Sequence, residues 1–277
     1  MLKTTAERTL VVVAALLMCT KASSAADLHP IVEVQSGYLF GATANGKWMK
    51  AEEAAKALQD ERTYQVYGLT QSLGEAKGGK PKPNPAGLPC EETLWVSLSP
   101  KPEKGVIALA APWNALPRKP RAGDTTQQVY VDAVRDFLKT KGIEQPEVKI
   151  DNILRVDLDG DGEDEVLISA TNYFSKDDRV PMRSPAGSYS MVLLRRVVAG
   201  KVETQLVEGE FHPKAYVTKE YSFDAPNAYK VVATLDLDGD GKLEVVVAAD
   251  YYEGEAITIY RCDPKKAEAL LSVFCGA

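Results

Sequence analysis

The chain has 277 residues, with 33 Lys and Arg against 39 Asp and Glu, and a formal net charge of −6. With 45% hydrophobic residues it can bury a real core, as one large domain or two small ones. The acidic balance argues against nucleic acid as a partner, because phosphate contacts need clustered Lys and Arg.

Residues 1–26 read as a secretory signal peptide. Lys3 and Arg8 give a positive start, Leu10 to Met18 is an apolar core, and Ser23-Ser24-Ala25-Ala26 offers a cleavage site. The apolar run is too short to span a bilayer, and no later segment is long enough. Leu16-Leu17-Met18-Cys19 has the Leu and Cys of a lipobox, but Met18 stands where a small residue is expected. The expected product is soluble, periplasmic or extracellular, with no membrane span after cleavage. It is also more acidic, having lost Lys3, Arg8 and Lys21 against Glu7 alone.

Residues 27–120 are expected to form a small α+β domain. A strand is expected over 31–41, and Asn45-Gly46 is a turn signal returning through Lys47-Trp48-Met49. Ala51, Ala54, Ala55 and Leu58 have helical spacing over 51–60. A strand over 62–69 precedes 74–90, which is rich in Gly, Pro and Lys and reads as an exposed loop. Further strands are expected over 92–99 and 105–111. Pro117, Pro120 and Gly123 make 114–124 a linker. Within 121–149 a linking helix is expected over 125–141, capped by Asp124 with Gln127 and ended by Gly142. Tyr130, Val134, Phe137 and Leu138 form its apolar face.

From 150 to 277 the chain reads as a β-rich domain containing one acidic loop written twice. Asp157-Leu-Asp159-Gly-Asp161-Gly162-Glu163-Asp164-Glu165 runs into Val-Leu-Ile, and Asp236-Leu-Asp238-Gly-Asp240-Gly241-Lys242-Leu243-Glu244 runs into Val-Val-Val. Carboxylates at positions 1, 3, 5 and 9 suit calcium, which takes 6–8 oxygen ligands. Position 7 needs to give only a carbonyl, so the ligand set is Asp157, Asp159, Asp161, Glu163, Glu165, Asp236, Asp238, Asp240, Lys242 and Glu244. An EF-hand places its closing Glu at position 12, where this chain has Ile168 and Val247. The first loop carries six carboxylates and no cation, the second four with Lys242, so the first is expected to bind more tightly.

These loops, closed at position 9 and feeding a strand, resemble the calcium loops of FG-GAP and VCBS repeats in integrin-type β-propellers. The order strand, loop, strand, aromatic segment, strand recurs, with insertions around 175–188 and 211–227. Two repeats cannot close a propeller, which needs 4–8 blades. The expected fold class is therefore mainly β with an α+β amino-terminal part, the two repeats resembling degenerate propeller blades.

Cys90, Cys262 and Cys275 remain after the signal, and export makes disulfides possible. Three pairings exist. Cys262 and Cys275 bracket the last segment and are the expected pair, leaving Cys90 free.

The candidates for catalysis are few. His29 and His212 are the histidines, and there is no Gly-x-Ser-x-Gly elbow, zinc spacing or phosphate-binding glycine loop. A carboxylate-pair glycosidase would need two further acids, with Asp177, Asp178 and Glu220 as loop candidates. Tyr173, Phe174, Tyr251 and Tyr252 follow the exit strands; they are either repeat core or a platform at the loop face that stacks on a sugar or peptide. The sequence thus points to an exported calcium-binding structural or interaction protein, with a protein or carbohydrate ligand. The alternative is a secreted hydrolase of polysaccharide or peptide that uses calcium as a scaffold.

Overall fold

The structure, a computed structural model, describes residues 28–85, 87, 90, 92–174, 180–215 and 224–276. The expected signal peptide lies outside these residues. The amino-terminal part comprises β1 (Leu28–Glu33), β2 (Leu39–Ala44), β3 (Lys47–Lys50), α1 (Ala51–Ala57), β4 (Arg62–Tyr67) and β5 (Ser72–Gly78). It continues with β6 (Lys82–Pro83), β7 (Leu94–Trp95), β8 (Leu98–Ser99) and β9 (Ile107–Leu109). Seven of these strands form one sheet in the order β3-β2-β1-β9-β4-β5-β8.

Two local expectations change here. The strand expected over 31–41 is a hairpin, because the Glu33 carboxylate turns the chain by accepting the N–H groups of Gln35 at 2.7 Å and Ser36 at 2.6 Å. Part of the expected 74–90 loop is β5, paired with β4 so that Gln65 faces Glu75. Its Gly78 serves packing: a Cβ there would come within 2.8 Å of Val96 Cγ1.

Next come β10 (Arg121–Ala122) and α2 (Gln128–Thr140). The helix has no side-chain cap at Gln127. Asp124 instead accepts from Thr126 N at 2.8 Å and from its hydroxyl at 2.7 Å, a local turn that delays the helix start.

Two antiparallel meanders follow. The first runs β11 (Ile150–Val156), β12 (Glu165–Thr171), β13 (Ser188–Val198) and β14 (Lys201–His212), with β10 added on its edge. The second runs β15 (Ala228–Leu235), β16 (Glu244–Tyr251), β17 (Gly254–Cys262) and β18 (Ala267–Gly276). Each acidic loop joins the first strand of its meander to the second. The repeats differ in the next connection, which is 172–187 in the first and 252–253 in the second. Among the described residues no sheet closes on itself, and the fold is mainly β.

The sheets stack in layers. One face of the amino-terminal sheet packs α1, through Val32, Ala54 and Leu58. Its other face, with Ile31, Phe40 and Leu109, meets Leu235, Val246, Ile259 and Leu271 of the second meander. The second meander's opposite face, with Val231, Val245 and Val247, meets Val156, Leu167, Val192 and Leu194 of the first. Helix α2 covers the outer face of the first meander through Tyr130, Val134 and Leu138. The second meander is therefore covered on both sides, which is why β16 reads as a continuous Val-Val-Val run rather than an alternation.

The disulfide joins Cys90 to Cys275, with Cα atoms 5.1 Å apart, and Cys262 is free. The expected Cys262–Cys275 pair fails for a geometric reason. In the β17–β18 hairpin Cys262 faces Ala267, whereas Cys275 faces Glu255 at the other end. At roughly 3.3 Å per residue the two cysteines are about 26 Å apart along the strand. Among the described residues no helix is long and apolar enough to cross a membrane.

Candidate metal centre

Both acidic loops are built by the same hydrogen bonds. In the first loop, Asp157 accepts from Gly160 N at 2.6 Å and from Gly162 N at 3.1 Å. In the second, Asp236 accepts from Gly239 N at 2.7 Å and from Gly241 N at 3.1 Å. Position 3 accepts from the N–H of position 5, at 3.3 Å for Asp159 and 3.2 Å for Asp238. Position 5 accepts from the N–H of position 7, at 2.8 Å in both loops. The closing glutamate reaches back to the N–H of position 2, Glu165 to Leu158 at 2.8 Å and Glu244 to Leu237 at 2.9 Å.

This network curls the chain so that alternate carboxylates converge. The glycines at position 4 sit at φ +83° and +77°, in the left-handed region that side chains avoid. They also leave room for neighbours: a Cβ on Gly160 would come 3.4 Å from Arg118 Nη1, and one on Gly239 would come 3.2 Å from the Trp113 ring.

Ligand-competent oxygens of Asp157, Asp159 and Glu165 lie within 4.8 Å of one another, as do those of Asp236, Asp238 and Glu244. Asp161 and Asp240 are not part of these groups; both are exposed and engaged with the backbone of position 7. The side chains of Glu163 and Lys242 are exposed at the rim. Both groups are all-oxygen, the chemistry of a hard cation rather than of zinc or copper.

Electrostatics point the same way. Glu244 is 1% exposed, and burial together with the neighbouring Asp238, Asp240 and Asp236 pushes its carboxyl up to about 9. Burial, then Asp159 and Asp161, raises Glu165; burial, then Asp238 and Asp240, raises Asp236. Carboxylates crowded out of water need a proton or a cation between them. The residues present therefore fit a hard divalent ion.

Four neighbours of the loops were not legible in the local sequence. Trp48 Nε1 donates to Asp238 Oδ2 at 3.2 Å, and Arg261 Nη2 reaches the same oxygen at 3.0 Å. Trp113 Nε1 donates to the Asp236 carbonyl at 2.8 Å. Arg118 donates from Nε to the Asp157 carbonyl at 2.6 Å. Asp164, counted among the acids of the first loop, pairs instead with Arg121 and Arg155.

The other sequence candidates fall elsewhere. Tyr173 is buried and Tyr251 stacks on Phe274 at 12° between planes. Both aromatic pairs lie at or beyond the far ends of β12 and β16, about 23 Å along the strand from the loops, so a platform at the loop face is excluded. His212 has Glu210 at 2.7 Å from Nε2 and Asp224 at 3.8 Å from Nδ1, so both ring nitrogens face carboxylates. Asp177, Asp178 and Glu220 lie outside the described residues. Glu33 and Glu255 do face one cavity, but its volume is about 10 Å³, room for a water and not for a sugar ring.

Residues 228–260, which run from β15 through most of β17, match the family model described as FG-GAP repeat. No curated protein and no solved structure matches the chain. The matched segment contains the whole second acidic loop, and the first loop reproduces its hydrogen bonds one by one. The chain is a mainly β protein carrying an FG-GAP repeat over residues 228–260.

Proposed function

We propose that this is an exported calcium-binding protein whose two repeats serve a structural or interaction role. The single observation that carries the calcium reading is the duplicated loop: two nine-residue segments share one hydrogen-bond network, and each gathers carboxylates within 4.8 Å. Asp157, Asp159 and Glu165 would hold one ion, and Asp236, Asp238 and Glu244 the other. Asp161 and Asp240 would add ligands from position 5, and Glu163 and Lys242 backbone carbonyls from position 7. Calcium would supply positive charge that neutralises buried carboxylates and locks each loop between its two strands. The first loop is the tighter site, because two cations, Arg261 and Lys242, stand beside the second against one, Arg118 at 3.8 Å from Asp157, beside the first.

Export is supported by the charged and apolar pattern of residues 1–26 and by the Cys90–Cys275 disulfide, a bond that persists in oxidising compartments. The partner we propose is a protein or carbohydrate. The hydrolase alternative would have to use Glu52 and Glu92, two exposed glutamates that line one cavity of about 470 Å³ away from both acidic loops.

Thermal melting tests the calcium reading. A ligand that binds only the folded state raises stability by about 2.7 kcal/mol at a hundredfold excess over Kd. Melting in EDTA, then with calcium, then with magnesium, should show a rise specific to calcium. An identical midpoint in EDTA and in millimolar calcium would reduce both loops to acidic turns.

A further inference from the structure

The two loops touch. Leu243 N donates to the Leu158 carbonyl at 2.7 Å, joining position 8 of the second loop to position 2 of the first. Arg118 spans the same junction. Its Nε donates to the Asp157 carbonyl at 2.6 Å, while Nη2 donates to the Leu158 carbonyl at 3.3 Å and to the Gly241 carbonyl at 2.7 Å. Beneath this junction Leu158 and Leu243 are buried in one cluster with Val156 and Val245.

A continuous path therefore links the two candidate sites. Glu165 holds Leu158 N, Leu158 O holds Leu243 N, and Leu243 adjoins Glu244. The planar guanidinium bonds both loops at once from two nitrogens held in a fixed fork, whereas an ammonium's three donors radiate from one atom on a flexible stem. It also places a positive charge between two acidic groups, lowering the repulsion between them.

From this geometry we infer that Arg118 is a positioning residue that couples the two sites, so that an ion in one loop raises the affinity of the other. The inference rests on the reading that both loops hold calcium. An ion in the first loop fixes the Asp157 and Leu158 carbonyls. Arg118 is thereby fixed against Gly241, and the second loop loses less freedom when it closes. Couplings of this kind change affinity by roughly 5- to 150-fold and are reciprocal.

The molecule carries its own reporter. Trp48 and Trp113 both contact the second loop, and Trp95 lies apart in β7. Tryptophan fluorescence during a calcium titration therefore follows the second loop. Asp159→Ala disables the first loop without touching a partner of Arg118. In the otherwise wild-type chain it should move the fluorescence midpoint to about five- to tenfold higher calcium. In an Arg118→Met background the same change should move it less than about twofold. Arg118→Lys keeps the charge and loses the fork, and should uncouple as Arg118→Met does; it replaces Arg118→Met if that variant does not fold. An unmoved midpoint in Asp159→Ala would show independent sites and overturn the inference while leaving the calcium assignment standing. An equal shift with and without Arg118 would assign the coupling to the Leu158–Leu243 bond instead. Flat fluorescence together with a flat calorimetric titration would overturn the calcium assignment and the coupling with it.

Discussion

Replacing Asp159 by Ala separates a metal ligand from a structural side chain. Asp159 is exposed, and its carboxylate accepts Asp161 N at 3.3 Å, close to the limit of a hydrogen bond. Losing that bond should cost the ion-free protein no more than about 1 kcal/mol. The effect with calcium is larger. At a hundredfold excess over Kd the first loop contributes about 2.7 kcal/mol, and a hundredfold loss of affinity would leave about 0.4 kcal/mol. Through the first loop alone the calcium-dependent gain should therefore shrink by about 2.3 kcal/mol, and the coupled weakening of the second loop adds to that. For a domain of this size 1 kcal/mol moves the melting midpoint by about 2–4 °C, so the variant should gain at least about 5–9 °C less than wild type on adding calcium. Differential scanning calorimetry in EDTA and in calcium reads both numbers. Equal loss in both conditions would make Asp159 a turn residue, and an unchanged calcium gain would remove it from the ligand set.

Four other outcomes follow from the geometry. Glu244, pushed up to about 9 from an ordinary 4.5, favours the protonated fold; its contribution is present below pH 4.5 and lost as pH rises through about 9. The EDTA-treated protein should thus melt higher at pH 5.5 than at pH 8, and saturating calcium, which binds the ionised carboxylate, should reverse that order in the same scans. Arg261→Met removes the cation held 3.0 Å from Asp238 and should raise the affinity of the second loop severalfold, read by tryptophan fluorescence; a weaker site would make Arg261 a support for the loop. Cys90→Ser opens the bond to Cys275 and should cost about 2–4 kcal/mol in urea unfolding, whereas Cys262, half-buried with its thiol pushed up to about 12, should alkylate slowly at pH 8 in the folded protein and faster once the chain unfolds.

The acidic loops were legible because their information is local. A carboxylate every second residue, glycines at 4 and 6 and an apolar exit strand fix the curl without help from elsewhere. The meanders were legible for the same reason, through β-branched runs interrupted by turn residues. The neighbours of the loops were not. Arg118, Arg261, Trp48 and Trp113 reach the loops from distant parts of the chain, and nothing in their own surroundings marks them. The disulfide was misread because sequence proximity stood in for register: a hairpin carries Cys275 away from Cys262 as the strand lengthens. Of the two readings open for the aromatic pairs, the loop-face platform fails once their position along the strand is converted into distance, and the buried Tyr173 fits repeat core. In the amino-terminal sheet the glycines of 74–90 suggested a loop, yet Gly78 is small so that Val96 can pack against β5.

Isothermal titration calorimetry of calcium into the EDTA-treated, dialysed protein tests the central claim most directly. Two ions per chain should bind, with magnesium in the same range giving weaker heats. A stoichiometry of zero at millimolar calcium would contradict the assignment of both loops, and a stoichiometry of one would contradict the equivalence drawn from their shared hydrogen bonds.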